Sequence, residues 1–398
     1  MADPCPDDHD RTGARIAAYR KRAGLTQRGL AQRIPYSYSL LRHVEAGHKR
    51  ASPQLTAAVA RALGVPVAAL TGSSVHTLHP DRVAALVRPI REALDVYDLP
   101  VDAYLPQAPA FELTAAADGL CQDVRAARLQ LAAAALPSLL LDLFVACRER
   151  PTTELWRSLA STCRSAHDVA TKLGYQDLAA LALDRMGWAA ERASDPVLAA
   201  IRQYKRALSY RSPSAQHHIG LRMVAEGHRL LGGRVADGLA ARAVAGQLHL
   251  GAAVLAARAA DVPLMESHLA QATELAERSG EIGHVHWLSF GPANVSAHET
   301  FARLELRQFD AAYAAARAVR PPRGWATSRR AAHLVDQARA ELETGRTDAA
   351  LASLSLARRL APQQTRFHPR VRETVQGLLH IRRSSPHALS RLAAWVGV

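Results

Sequence analysis

Only four cysteines occur in 398 residues, Cys5, Cys121, Cys147 and Cys163. They are scattered and include no C-x-x-C pair, which excludes a zinc ribbon and a disulfide framework. Lysine is almost missing, at four of the fifty basic residues, while alanine is abundant; that bias suggests a high-GC bacterial genome. No signal peptide or long apolar span is evident, and the first residues, MADPCPDDHD, are acidic and polar. A cytoplasmic protein without a membrane segment is expected. The chain has no G-x-x-x-x-G-K-[ST] phosphate loop, since Gly232-Gly233 lacks the lysine, and neither H-E-x-x-H nor a G-x-S-x-G elbow. His217, His218, His228, His284 and His286 have no acid-and-cysteine set beside them. Even His217 and His228, which share a helical face, read as solvated or hydrogen-bonded side chains. No enzymatic activity, metal or cofactor is expected.

What is present is an uneven charge. Between Arg11 and Gly72 stand eleven Lys/Arg against one acid, Glu45, whereas the first ten residues hold four Asp and no base. The net charge of the whole chain is +14, and +10 of it lies in this short head. A basic patch confined to one small module is the electrostatic footprint of nucleic-acid binding.

Residues 20–47, RKRAGLTQRGLAQRIPYSYSLLRHVEAG, read as two short helices joined by a tight turn. Thr26 is a candidate N-cap, and Gln27, Leu30, Ala31 and Ile34 follow at helical spacing. Pro35 and Tyr36 interrupt the pattern. Ser37 can cap a second helix with Leu41 and Val44 inward and Tyr38, Ser39, Arg42 and His43 outward. Such a helix, too short to be stable alone and flanked by arginines, suits a DNA major groove. The first helix is expected over about Thr12–Arg22 with Ile16 and Tyr19 inward, the second and third over 26–33 and 37–45. A fourth starts near Gln54 after Ser52-Pro53, and a short fifth spans Val67–Leu70.

In order, Ala23–Ala31 (A-G-L-T-Q-R-G-L-A), Ser37–Gly47 (S-Y-S-L-L-R-H-V-E-A-G), Ser52-Pro53 and Ala62–Val65 (A-L-G-V) resemble the Cro/repressor-like, or XRE-type, helix-turn-helix domain over about residues 11–72. The resemblance implies a five-helix, lambda-repressor-like module that binds double-stranded operator DNA. It assigns Gln27 to the DNA backbone and to bracing the third helix. It places Tyr38, Ser39, Arg42 and His43 where relatives read bases, Arg42 being suited to a bidentate contact with guanine. Ser37 becomes a cap or a phosphate ligand, and Arg28, Lys49 and Arg50 become phosphate contacts. Arg20 and Glu45 are implied to pair across helices one and three as scaffold. Relatives carry glycine where Pro35 stands here. Because proline fixes φ and disfavours helix at Ile34, the start of the third helix is a place where the register can shift by one residue.

After a linker at 73–80, residues 81–398 are rich in Ala, Leu and Arg, with no alternating strand pattern, and read as successive amphipathic helices of 12–20 residues. The segment Glu305–Ala312 recurs as Glu341–Ala350, each followed by an Ala/Arg-rich helix and then Pro321 or Pro362. The offset of 36–41 residues is near the tetratricopeptide length of about 34, and weaker copies lie at Ala257–Ala276 and Leu155–Ala193. The expected fold class is all-α, with a tetratricopeptide-like solenoid of five to seven helical pairs behind the head. The words Lys172–Ala179, Ala189–Pro196 and Phe290–His298 resemble actinobacterial regulators that join a Cro-type head to such a tail, which implies transcription control.

Segment His284–His298 is the least repeat-like part of the tail. Trp287, Phe290, Asn294 and His298 combine apolar surface with hydrogen-bonding groups and are a candidate pocket for a small molecule or a peptide. Equally, Trp287 and Phe290 can be core, with Gly291-Pro292 a turn between helix pairs. Trp188 and Tyr204 read as inter-repeat packing. The expected function is sequence-specific transcription regulation by a homodimer whose tail senses an effector. The alternative is a DNA-tethered scaffold whose tail binds a protein partner.

Overall fold

The computed structural model describes residues 11–49, 51–63, 65, 70, 80–99, 108–211, 216–381 and 387–398. Two compact units divide the chain: one lies within 1–78 and 371–398, the other spans 79–370. The segment 371–398, which the sequence grouped with the tail, thus falls in the first unit.

In the head, four helices are described: α1 (Arg11–Arg22), α2 (Gln27–Ala31), α3 (Tyr38–Glu45) and α4 (Pro53–Leu63). Their apolar faces meet in one core of Ile16, Leu30, Ile34, Leu41, Val44, Leu55 and Val59, with Tyr19 packed at its edge. Caps set the boundaries. Thr26 Oγ1 accepts from the Gly29 N–H at 3.0 Å, Ser37 Oγ from Leu40 at 3.2 Å, and Ser52 Oγ from Leu55 at 3.1 Å. α2 is shorter than the expected 26–33. The Arg33 and Ile34 N–H groups donate to the carbonyls of Leu30 and Ala31, so the chain tightens into three-residue turns ahead of Pro35. No residue from 32 to 37 takes a positive φ. The turn is built at Pro35 without a left-handed residue, and α3 begins directly after Ser37. Of the expected fifth helix only Leu70 is described, helical and fully buried; Val67, Gly64 and most of the 73–80 linker lie outside the described residues.

The second unit is all-helical and repeat-like. It runs α5 (Pro80–Asp95), α6 (Ala110–Arg125), α7 (Leu129–Glu149), α8 (Thr153–Leu173), α9 (Gln176–Arg192), α10 (Pro196–Leu208), α11 (His217–Leu231), α12 (Arg234–Asp237), α13 (Leu239–Arg258), α14 (Val262–Ser279), α15 (Pro292–Glu305), α16 (Phe309–Ala318), α17 (Thr327–Glu343), α18 (Thr347–Leu360) and α19 (Pro362–Phe367). The chain continues into α20 (Pro369–Ile381) and α21 (His387–Val396). From α6 to α18 the long helices pack in sequential pairs. Their turns repeat one backbone device: a left-handed residue at Ala127, Gly174, Ser194, Ala260, Arg307 or Gly345, followed by an N–H that reaches five residues back. Examples are Tyr175 to Ala170 at 2.9 Å, Asp261 to Ala256 at 2.9 Å and Gln308 to Arg303 at 2.9 Å. This is the Schellman closure, which satisfies the last carbonyls of a helix.

Among the described residues, α7 and α13 are long and apolar enough to cross a membrane, where no long apolar span was expected. Half of the apolar stretch of α7 and 78% of that of α13 are buried against other helices. A helix apolar all round is also what the centre of a large helical core requires.

Candidate nucleic-acid interface

Glu45 is the pivot of the head. Its Oε1 accepts from Arg20 Nε at 2.8 Å, and its Oε2 accepts from Arg20 Nη2 and from Gln27 Nε2, each at 2.8 Å. The remaining guanidinium arm, Nη1, donates to the Leu25 carbonyl at 2.8 Å. The side chains of Arg20 and Glu45 are 9% and 3% exposed. Hydrogen bonding to Glu45 holds the Arg20 pKa above its ordinary value against an opposing effect of burial, and the Glu45 charge adds to it. A bidentate pair shielded this way fixes direction as well as distance. It ties α1, the start of α2 and the end of α3 together, so α3 cannot rotate on the core without breaking three bonds.

A second constraint is steric. A Cβ on Gly13 would sit 1.9 Å from the Val44 carbonyl oxygen, so α1 and α3 approach more closely than any side chain permits. A glycine as the third residue of an otherwise amphipathic helix is the one sign of this contact in the sequence.

With its inner face fixed, α3 presents Tyr38, Ser39 and Arg42 to solvent. Arg28 from α2 lies over the Tyr38 ring, 5.6 Å from its centroid, which lends the tyrosine a cationic neighbour. Lys49 and Arg33 are exposed on the same stretch. His43 is less available than its outward position implied: its Nδ1 lies 2.7 Å from the Ser39 carbonyl, so the ring turns back on its own helix. Ser37 Oγ is occupied as the α3 cap. Gln27 is engaged with Glu45 through its amide NH2, the bracing half of the role the resemblance implied. Arg50 lies outside the described residues. The structure therefore gathers Arg28, Tyr38, Ser39, Arg42 and Lys49 as an exposed set on a frame of Arg20, Gln27 and Glu45.

The four residues singled out in the tail do not come together as one pocket. Phe290 is 1% exposed and belongs to a core cluster with Leu250, Met265 and Ile282; a Cβ on Gly246 would lie 2.0 Å from its ring. It is core, because an aromatic ring packed onto a helix backbone needs that glycine beneath it. Phe290 also pairs with Ile282 in a two-residue bridge at 2.7 and 3.1 Å. Gly291, at φ 144°, then turns the chain, and Glu281 Oε1 accepts from the Ala293 N–H at 2.7 Å to cap α15. The Trp287 indole donates to Asp118 at 3.0 Å, and its carbonyl accepts from Arg125 Nη1 at 2.7 Å. Asn294 and His298 are 1% and 7% exposed and sit in a buried polar chain in which Asn294 Nδ2 donates to Gln247 and Gln247 Nε2 donates to the Tyr204 hydroxyl. Trp188, read as packing, stands in an aromatic cluster with Trp156, Tyr97 and Phe144.

A profile described as a helix-turn-helix domain matches residues 11–71. No curated protein and no solved structure matches the chain. The head is a helix-turn-helix domain, and it marks the chain as a DNA-binding regulator.

Proposed function

We propose that this protein is a sequence-specific transcriptional regulator of the Cro/repressor-like type, in which α3 reads the operator and the helical-repeat tail controls when it does so. The observation that carries the reading is the polar outer face of α3, with Tyr38, Ser39 and Arg42 exposed while Glu45 anchors the helix from behind. A side chain that reads bases must be free while its helix is held, and this is that division of labour. Arg42 donates to guanine; Arg28, Lys49 and Arg50 neutralise phosphates.

One such head buries little surface on DNA. Two heads on a palindromic or repeated site add affinity through effective concentration, so the working form is a homodimer in the cytoplasm. The tail, of the tetratricopeptide-like kind found in the actinobacterial regulators that its words resemble, senses a small molecule or a peptide. Differential binding of that effector to two tail states shifts the spacing of the heads.

Selection from a random duplex library, followed by titration of the recovered site and of an unrelated duplex, tests the reading. Arg42→Ala is expected to lose about 1–3 kcal/mol on the selected site and little on the unrelated one. Equal losses on both duplexes would sink direct readout by Arg42.

A further inference from the structure

Arginine keeps its charge at every pH a folded protein meets, so a buried guanidinium needs an anion. Several in the tail have one: Arg370 is bound to Glu305 and Asp336, Arg258 to Glu305, and Arg303 to Glu266 and Glu299, while the buried Arg164 donates to the His286 carbonyl instead. Arg329, partly buried in the first turn of α17, has neither a carboxylate nor a carbonyl. Its Nε is buried without a hydrogen bond, and its Nη2 meets His298 Nδ1 at 2.7 Å. Burial lowers the Arg329 pKa, opposed at longer range by Tyr204 and then by Asp336, and Asp336 is itself taken by Arg370.

His298 does not supply the missing negative charge. Burial first, and then the Arg329 charge, hold its pKa well below 6.5, so the ring is neutral. Its Nδ1 lies 2.8 Å from the Asn294 carbonyl as well as 2.7 Å from Arg329 Nη2. In either tautomer the neutral ring brings no anion to the guanidinium. The guanidinium is held by a neutral ring, and Asp336 offsets its charge only from a distance.

Around it stand three more buried polar atoms without partners: Asn294 Oδ1, Trp325 Nε1 and His333 Nδ1. Trp325 packs on Ala293 and Ala297, the chain neighbours of Asn294 and His298. Its ring centroid is 6.1 Å from that of His333, one turn beyond Arg329. Folded proteins leave few polar atoms in this condition. Here several collect around the arginine that lacks an anion.

We propose that Arg329, with Trp325, Asn294 and His298, binds a small organic carboxylate. The guanidinium and the indole N–H donate to its oxygens, and Asn294 Oδ1 accepts from a hydroxyl or amino group on the same molecule. This identifies the chemical class of effector for the tail and rests on reading the tail as the sensing part. Thermal unfolding of the full chain at constant ionic strength, with sodium acetate, succinate or benzoate against benzamide and sodium chloride, tests it. At least one carboxylate is expected to give a saturable rise of about 3 °C or more, which neither control gives and which Arg329→Met abolishes. Arg329→Met alone is expected to melt no lower than the parent, because methionine keeps the apolar stem and removes the unpaired charge. Four results would overturn the site: no saturable rise with any carboxylate, an equal rise with benzamide or chloride, a rise that survives in Arg329→Met, or a variant that melts lower or fails to fold. DNA affinity measured in parallel separates the two ideas. Carboxylate binding that leaves DNA affinity unchanged supports the site and removes its effector role.

Discussion

Glu45 receives three side-chain hydrogen bonds from two helices, and that concentration makes it the most consequential single residue of the head. Glu45→Ala leaves the Arg20 guanidinium buried without its anion. The expected loss is about 3–5 kcal/mol of head stability, read from urea unfolding of the full chain followed by a probe in the head; a loss below about 1 kcal/mol would show the pair to be ornamental. Gly13→Ala acts by a different mechanism at the same contact, since its methyl would overlap the Val44 carbonyl. Overpacking of that kind costs about 1–3 kcal/mol. Because α3 would be pushed from its seat, DNA affinity is expected to fall further than stability alone accounts for, and gel-shift titration of a variant still folded at the assay temperature checks this.

At the scale of the element, the repeat is written more clearly in backbone geometry than in residue identity. Six turns from Ala127 to Gly345 use a left-handed residue, yet only Gly174 and Gly345 are glycine. A non-glycine residue there carries a steric penalty of about 1–2 kcal/mol, and the Schellman bond that follows holds it in place. Ala260 is exposed as well as left-handed, so nothing but the backbone opposes its replacement. Ala260→Gly is expected to stabilise the tail by about 1 kcal/mol, visible as a higher urea midpoint at unchanged slope. Destabilisation would mean that the alanine methyl makes a packing contribution that its exposure hides.

At the scale of the whole molecule, buried histidines of the tail set its response to acid. Burial pushes His167 down to about 4, opposed by Asp168 and assisted by Lys205, and it pushes His333 down to about 4, opposed by Asp336 and assisted by Arg329. In the unfolded chain each titrates near 6.5, so between about pH 6.5 and 4 the unfolded state binds more protons. Stability from this source is whole above about 6.5 and drains as pH falls towards 4, by about 1.4 kcal/mol per histidine for each pH unit. Unfolding midpoints of the tail at pH 7.5 and 5.5 check it, and a flat profile would contradict neutral burial. The head responds to salt instead. With its basic residues outnumbering acids eleven to one, DNA binding is expected to weaken linearly in log affinity against log salt; a flat response would leave the basic cluster without a role in binding.

Much of the head was legible in the chain itself. Thr26 and Ser37 as caps, Ile16, Leu30, Leu41 and Val44 as core, and the pairing of Arg20 with Glu45 all follow from local periodicity, from capping chemistry, or from a resemblance carried by contiguous words. The all-helical, paired character of the tail was equally readable, because amphipathic spacing is a local property. Tertiary structure alone decided the rest. It closed α1 on α3 over Gly13, buried Phe290 as core against Gly246, and left the partly buried Arg329 against a neutral histidine in place of a carboxylate. Each of these depends on which distant surface a side chain meets. Burial and pairing are properties of contacts between residues far apart in sequence, which periodicity along a single helix does not encode.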